Sequence, residues 1–360
     1  MLKAILFNDT SHNKHHGCQI VVKQIYQLAA AAGIRIVRAC PMRHDWRDDP
    51  RLQTDIANAD LCLINGEGTL HDDARAAQVL VALAPFCRER GVPCFLINSV
   101  WQRNTLLIEP ARMFSAIYLR DQRSQAELAV AGIASRVVPD LTLSVIPSSP
   151  QVQRQGFLVN GSFYEERTQE AWAALQQVAD PAVSYLSIQA LPHIQTGKGF
   201  PAYFWKTLRS RFKAWRVRRQ AQQATLGKTI ERKQIKLLRW KYCATSDAAF
   251  LRRLAGSQGV ITGRFHCVTL CLLTGTPFFA IGSNTHKIEA LLEACQLQGR
   301  VYPDYASALE ARARIAFDDA ERLAVANFVR SSRQQAQQMF IEIAAAVVAS
   351  PLPQGHPPIA

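Results

Sequence analysis

The chain has 360 residues, 48% of them hydrophobic and 19% charged, the proportions of a globular protein long enough for two cores rather than of a disordered or fibrous one. No apolar run reaches the roughly 18 residues that cross a bilayer. The formal net charge of +14 is concentrated: residues 198–241 hold fourteen Lys or Arg against one acid, Glu231, which argues against a general affinity of the molecule for nucleic acid.

The start, Met1 to Phe7, is apolar and passes at once into Asn8-Asp9. That suits a first buried strand and not a signal segment, so a cytoplasmic protein is expected. From there short β-type runs alternate with segments of helical period, the pattern of a parallel sheet with crossover helices. Strands are predicted at 3–7, 34–39, 61–65, 94–98, 117–120 and 136–138, with helices such as 19–32 and 74–90 between them. A Ser- and Pro-containing stretch, 144–150, reads as a linker. The rhythm resumes with a strand at 156–160, a helix at 166–178 and a strand at 184–188. After the basic insert come a strand at 259–262, a helix from His266 and a strand at 277–281. A long helical pattern over 318–348 then ends in a Pro-rich tail. The expected organisation is α/β: a Rossmann-like domain over 1–145, a second over 151–348 carrying the insert at 198–241, and a disordered tail from 349.

Nine cysteines without a CxxC pair lie mostly inside apolar runs and read as reduced core residues. His266, Cys267 and Cys271 have a spacing that puts ligands on one helix face, but no fourth ligand is near, and no metal is expected.

In open α/β sheets ligands bind beyond the carboxyl ends of the strands, where helix N-termini attract anions. This directs attention to the loops at 8–17, 65–73, 98–103, 120–124, 263–266 and 282–287. They contain His15 and His16; Glu67 within Asn65-Gly-Glu-Gly68; Arg120-Asp121 followed by Ser124; Arg264-Phe-His266; and Ser283-Asn-Thr-His-Lys287. Asp121 also suits a helix cap, and Asp140 a turn.

Taken together and in this order, the segments Asn65-Gly-Glu-Gly-Thr-Leu-His71, Tyr118-Leu-Arg-Asp121, Val138-Pro-Asp140, Ile261-Thr-Gly-Arg-Phe-His266, Gly275-Thr-Pro277 and Ser283 to Lys287 resemble the polysaccharide pyruvyl transferase family. The resemblance covers roughly residues 1–300. It implies two Rossmann-like domains in a GT-B-like arrangement with a cleft between them. It also implies transfer of pyruvate from phosphoenolpyruvate to a sugar of a surface glycan, with no further cofactor. Arg264 and His266 match positions expected to hold the donor, with Lys287, Ser283 and Arg120 as further donor-binding candidates.

The chemistry fits those residue types. Phosphoenolpyruvate carries a phosphate and a carboxylate, and the forked guanidinium matches both. Ketal formation needs an acid to protonate the enol methylene and a base to accept a hydroxyl proton. His266 and Glu67 are the favoured catalytic pair, and His15, His16 and Asp121 are the acceptor-side or base candidates. The scaffold also hosts glycosyltransferases, so a nucleotide sugar, for instance a CMP-activated 2-keto-sugar acid, is the alternative donor; a catalytically inactive membrane-associated scaffold is the second alternative.

In the insert, Phe204, Leu208, Phe212 and Trp215 recur at helical spacing beside Trp205. The cations Lys206, Arg209, Lys213, Arg216 and Arg219 flank or oppose them. An interfacial helix is expected, docking the protein on the anionic inner face of the cell membrane where lipid-linked acceptors would be met.

Overall fold

The computed structural model describes residues 1–146, 153–192, 201–282 and 285–349. Most of the expected linker, the expected disordered tail and Ser283 lie outside the described residues. The chain forms two compact units. One comprises 1–10, 25–139 and 334–360; the other comprises 11–24 and 140–333. One change of unit falls at residues 139/140. The further crossings fall in the loop between Thr10 and Ser11 and inside helices His16–Ala31 and Asp319–Ala349, where no composition shift marks them.

The first unit is built on a six-stranded sheet: β1 (Leu2–Asp9), β2 (Ile34–Pro41), β3 (Leu61–Glu67), β4 (Cys94–Ser99), β5 (Ala116–Leu119) and β6 (Arg136–Val137). Its order is β2-β1-β3-β4-β5-β6, and all pairs are parallel. All seven residues of β3 and all six of β4 are buried, as expected of strands covered by helices on both faces. Trp46, Leu52, Ile56, Cys62, Leu80 and Leu96 belong to the core around them.

The second sheet repeats the design with β7 (Phe157–Ser162), β8 (Val183–Tyr185), β9 (Gly259–Gly263), β10 (Phe278–Ile281) and β11 (Val301–Tyr302). Its order is β11-β10-β9-β7-β8, again all parallel. In each sheet the order reverses between the first and third strands, which places one topological switch point between β1 and β3 and another between β7 and β9. The expected strand at 184–188 is realised only to Tyr185. Beyond it the chain pairs elsewhere, Ser187 bridging to Cys243 and Gln189 to His15.

The basic insert is helical. Helix Pro201–Gln223 packs its small residues Ala214 and Ala221 against Trp240 and Cys243 at the end of helix Arg232–Lys241. All nine cysteines are free, eight of them buried. Cys267 and Cys271 are wholly enclosed, so they do not join His266 as ligands. No described helix is long and apolar enough to cross a membrane.

Candidate functional site

At the switch point of the second sheet, β9 ends in Gly263, and Arg264 opens helix Phe265–Thr274 as its extended N-cap residue. This turn is held from several sides. Thr262 Oγ1 donates to Asn160 Oδ1 at 3.1 Å, and the Arg264 amide donates to the same hydroxyl at 3.0 Å. The buried Tyr305 hydroxyl accepts from the Gly263 amide and donates to the Asn160 carbonyl, both at 2.9 Å. A Cβ on Gly263 would lie 2.9 Å from both Ser162 and Tyr305, so the strand end has room only for glycine.

The Arg264 guanidinium is the electrostatic centre of the site. Burial, followed by the neighbouring positive charge of Arg239, holds its pKa down to about 10. Among the described residues no hydrogen bond or ion pair joins that guanidinium to an acceptor. Arg239 comes from helix Arg232–Lys241 of the insert, and its Nη2 is itself buried without a hydrogen-bond partner. A guanidinium withdrawn from water beside a second, half-buried one, with no acid between them among the described residues, is costly in isolation, and an anion compensates both.

His266, one residue into the helix after Arg264, has a side chain 11% exposed. Its Nε2 stands 3.5 Å from the fully buried Asp140 Oδ2, an ion-pair distance rather than a hydrogen bond. Asp140 is the turn residue expected from sequence, accepting from the Thr142 amide and hydroxyl, but it also orients His266. His15 meets the His266 ring edge-on at 5.3 Å between centroids. The segment carrying His15 is fixed by the Ile188 carbonyl, which accepts from the His16 amide at 3.1 Å, and by the Lys14 carbonyl, which accepts from Ala190. Burial, then the positive fields of His266, Arg264, His16 and Lys287, hold His15 well below the usual histidine range. His15 is therefore neutral at pH 7, and its Nδ1 accepts a long 3.4 Å bond from the Cys18 amide, which leaves Nε2–H facing other partners.

Gly17 explains how the two loops approach so closely. A Cβ there would fall 2.3 Å from the His266 Cβ and 2.6 Å from its Nδ1. Only the bare backbone of residue 17 leaves the His266 ring its place.

Of the remaining candidates, His16 is packed away. It is 1% exposed, bonded through Nδ1 to Asp247 at 2.7 Å and stacked on Phe250. Lys287 starts helix Lys287–Ala294 and contributes its field at His15. Asp247 and Arg239 were not singled out from sequence; each lies on a helix with ordinary surface charges and acquires its role through contacts distant in the chain.

In the first unit, Glu67 closes β3 at that sheet's switch point. It is buried, with a left-handed φ of 42°, a strained conformation of the kind that clusters at functional sites. Arg120 Nη2 donates to the Glu67 carbonyl at 2.8 Å, so the arginine braces the loop. Asp121 caps helix Gln122–Val130, accepting from the Ser124 amide at 2.8 Å and from its hydroxyl at 2.9 Å.

His15, Cys18 and His266 also place one ligand atom each within 4.8 Å of one another, a set able to hold a soft metal ion. The fields of Arg264 and Lys287 at the same spot oppose a cation and favour an anion.

The family model for polysaccharide pyruvyl transferase matches residues 15–285, a span that runs from His15 through the Arg264 turn. The chain belongs to the polysaccharide pyruvyl transferase family. This is a family of transferases, and the resemblance read from the loop motifs holds.

No curated protein matches the chain significantly. Among solved structures, UDP-N-acetylglucosamine 2-epimerase from Rickettsia bellii is similar at 11% identity and TM-score 0.53, with 97% of each chain covered. Anabaena Alr3699/HepE in complex with UDP-glucose is similar at 12% identity and TM-score 0.52, covering 97% of this chain and 100% of that one. A putative UDP-N-acetylglucosamine 2-epimerase from Listeria monocytogenes reaches TM-score 0.54 at 10% identity, with 96% of each covered. At such identities these likenesses show the fold, two Rossmann-like domains, as expected from sequence.

Proposed function

We propose that this member of the polysaccharide pyruvyl transferase family takes phosphoenolpyruvate as donor and forms a pyruvate ketal on a sugar of a polysaccharide or its precursor. The observation that supports the donor is the Arg264 guanidinium, largely withdrawn from water, without an acid partner among the described residues, and reinforced by Arg239. Two forked cations suit a small molecule bearing both a carboxylate and a phosphate.

In this reading Arg264 binds one anionic group and Arg239 the other, while Lys287 adds to the field. His266, oriented by Asp140, delivers a proton to the enol methylene carbon. The first sugar hydroxyl adds to the resulting cationic carbon and passes its proton to the deprotonated His266. A second hydroxyl of the same sugar displaces inorganic phosphate, its proton leaving with the phosphate, so two C–O bonds form and the bond between the carbon and the phosphate oxygen breaks. Neutral His15 serves as a hydrogen-bond donor to the departing phosphate through Nε2–H. Glu67 keeps the role of acid or base proposed for it from sequence, and its buried, strained position suits that work.

The test is calorimetric titration of the full chain with phosphoenolpyruvate, in parallel with UDP, CMP and inorganic phosphate. Phosphoenolpyruvate is expected to bind, and Arg264→Ala to abolish the heat. Binding of a nucleotide alone, or equal binding to the variant, overturns the assignment and favours a nucleotide-sugar donor.

A further inference from the structure

Helix Pro201–Gln223 has an outer face that neither the fold nor the anion site uses. Its inner face is the seven-residue series Thr207, Ala214 and Ala221, each 5% exposed or less. The opposite side carries Trp205, Arg209, Phe212, Arg216 and Arg219, which recur at steps of four and three residues, with Lys213 and Trp215 at its margins. All seven are exposed. Trp205 is 60%, Phe212 67% and Trp215 52% accessible, values at which large apolar rings are left in water by the fold.

This corrects the arrangement expected from the sequence, in which Phe204, Leu208, Phe212 and Trp215 formed one stripe with the cations beside or behind it. Phe204 and Leu208 are partly covered, and the remaining aromatics share one face with the cations. Small residues, not aromatic ones, make the packed side. The Arg219 guanidinium lies 5.7 Å from the centre of the Trp215 ring, so rings and charges are interleaved.

We propose that this face docks the protein on an anionic lipid surface. The matching surface must be apolar and negative at once, over a single convex helix. An anionic bilayer interface offers both: the rings enter the headgroup boundary and the arginines meet the phosphates. The charge is undiluted, since no Asp or Glu occurs between Asp180 and Glu231, and none of Arg209, Lys213, Arg216 and Arg219 has an ion pair among the described residues. A nucleic acid is the lesser match. Stacking of successive bases uses a groove that tracks the strand, whereas these rings stand on a convex helix face. The same insert supplies Arg239 to the anion site, so docking and donor binding depend on one packed pair of helices.

The test is co-sedimentation of the full chain with vesicles of phosphatidylcholine alone and with one quarter phosphatidylglycerol. It compares wild type with the triple variants Trp205→Ser/Phe212→Ser/Trp215→Ser and Arg209→Gln/Arg216→Gln/Arg219→Gln. Wild type is expected to sediment only with the anionic vesicles and to be released by salt. The arginine triple variant should lose about 100-fold in partitioning, since each cation near an anionic leaflet is worth roughly fivefold, and the aromatic triple variant about tenfold or more through lost apolar insertion, both keeping the wild-type melting temperature and phosphoenolpyruvate heat. Absence of wild-type sedimentation, or equal sedimentation of the variants, overturns the proposal. So does tighter binding to a single-stranded oligonucleotide than to vesicles at the same salt, which assigns the face to nucleic acid. Because phosphoenolpyruvate titration is read separately, loss of docking and loss of the donor assignment are distinguishable.

Discussion

Arg264 carries a positive charge that no acid among the described residues neutralises, and this sets the sign of what its removal does. Arg264→Ala is expected to lose phosphoenolpyruvate binding by about 100-fold or more, yet to melt no lower than wild type in the absence of ligand, because a charge held out of water without an acid partner is a cost of folding. Arg264→Lys should recover little of the affinity, since a point charge does not reproduce the fork. Paired melting curves and titrations check both halves; a large fall in melting temperature would show the arginine to be a packing residue. Gly17→Ala is the complementary case. Its new methyl collides with the base of the His266 side chain rather than with a flexible tip, so overpacking of about 1–3 kcal/mol is expected, together with loss of turnover as the ring is displaced. Unchanged stability and turnover would contradict the close approach.

Titration of His15 is also a residue-scale matter. Its pKa in the folded protein lies well below the ordinary 6.5, so the unfolded chain binds more protons below about pH 6.5. Stability contributed by neutral His15 is thus fully present above that value and declines as pH falls through the window beneath it. His15→Gln should flatten this part of the stability profile, measured by urea unfolding between pH 7 and pH 5. An unaltered slope would show that His15 titrates normally.

At the scale of elements, the strands of both sheets were legible because they are buried on both faces and read as short apolar runs between turns. The end of β8 was not, because the apolar sequence continues through Leu186 and Ile188 while the backbone turns to pair with Cys243 and with the His15 segment. The two-residue β11 carries too little pattern to be seen. Helix Pro201–Gln223 was legible as a helix, but not in which residues share its outer face, since aromatic spacing grouped Phe204 and Leu208 with Phe212 and Trp215, whereas the first two are partly covered and the exposed rings stand among the cations. Helix Arg232–Lys241 gives the element-scale prediction. Arg239→Ala, at the site end of that helix, should weaken phosphoenolpyruvate binding about tenfold and raise the pKa of Arg264 by removing a like charge. Titration of the variant checks it, and unchanged affinity would confine Arg239 to the surface charge of the insert.

For the whole molecule, two sheets of the same strand order were foreshadowed by the repeated βα rhythm, and the family by the order of its loop motifs. The repeated passage of the chain from one unit to the other was not, because two of the crossings fall inside regular helices. Within the site, Arg264 and His266 stood out as residues of a strand-to-helix loop. Their partners Asp140, Gly17 and Arg239 did not, because sequence separations of more than a hundred residues, or of about 25 in the case of Arg239, hide a contact that only the folded switch point makes.

The proposed role of this anion site is to activate phosphoenolpyruvate for ketal transfer. It is tested most directly by incubating the protein with a glycan fraction from its native host and phosphoenolpyruvate labelled at the enol carbon. Label is expected to enter the glycan as an acid-labile pyruvate ketal with matching release of inorganic phosphate, and Arg264→Ala to abolish both. A glycan that remains unlabelled while the same protein transfers sugar from a nucleotide donor would contradict it.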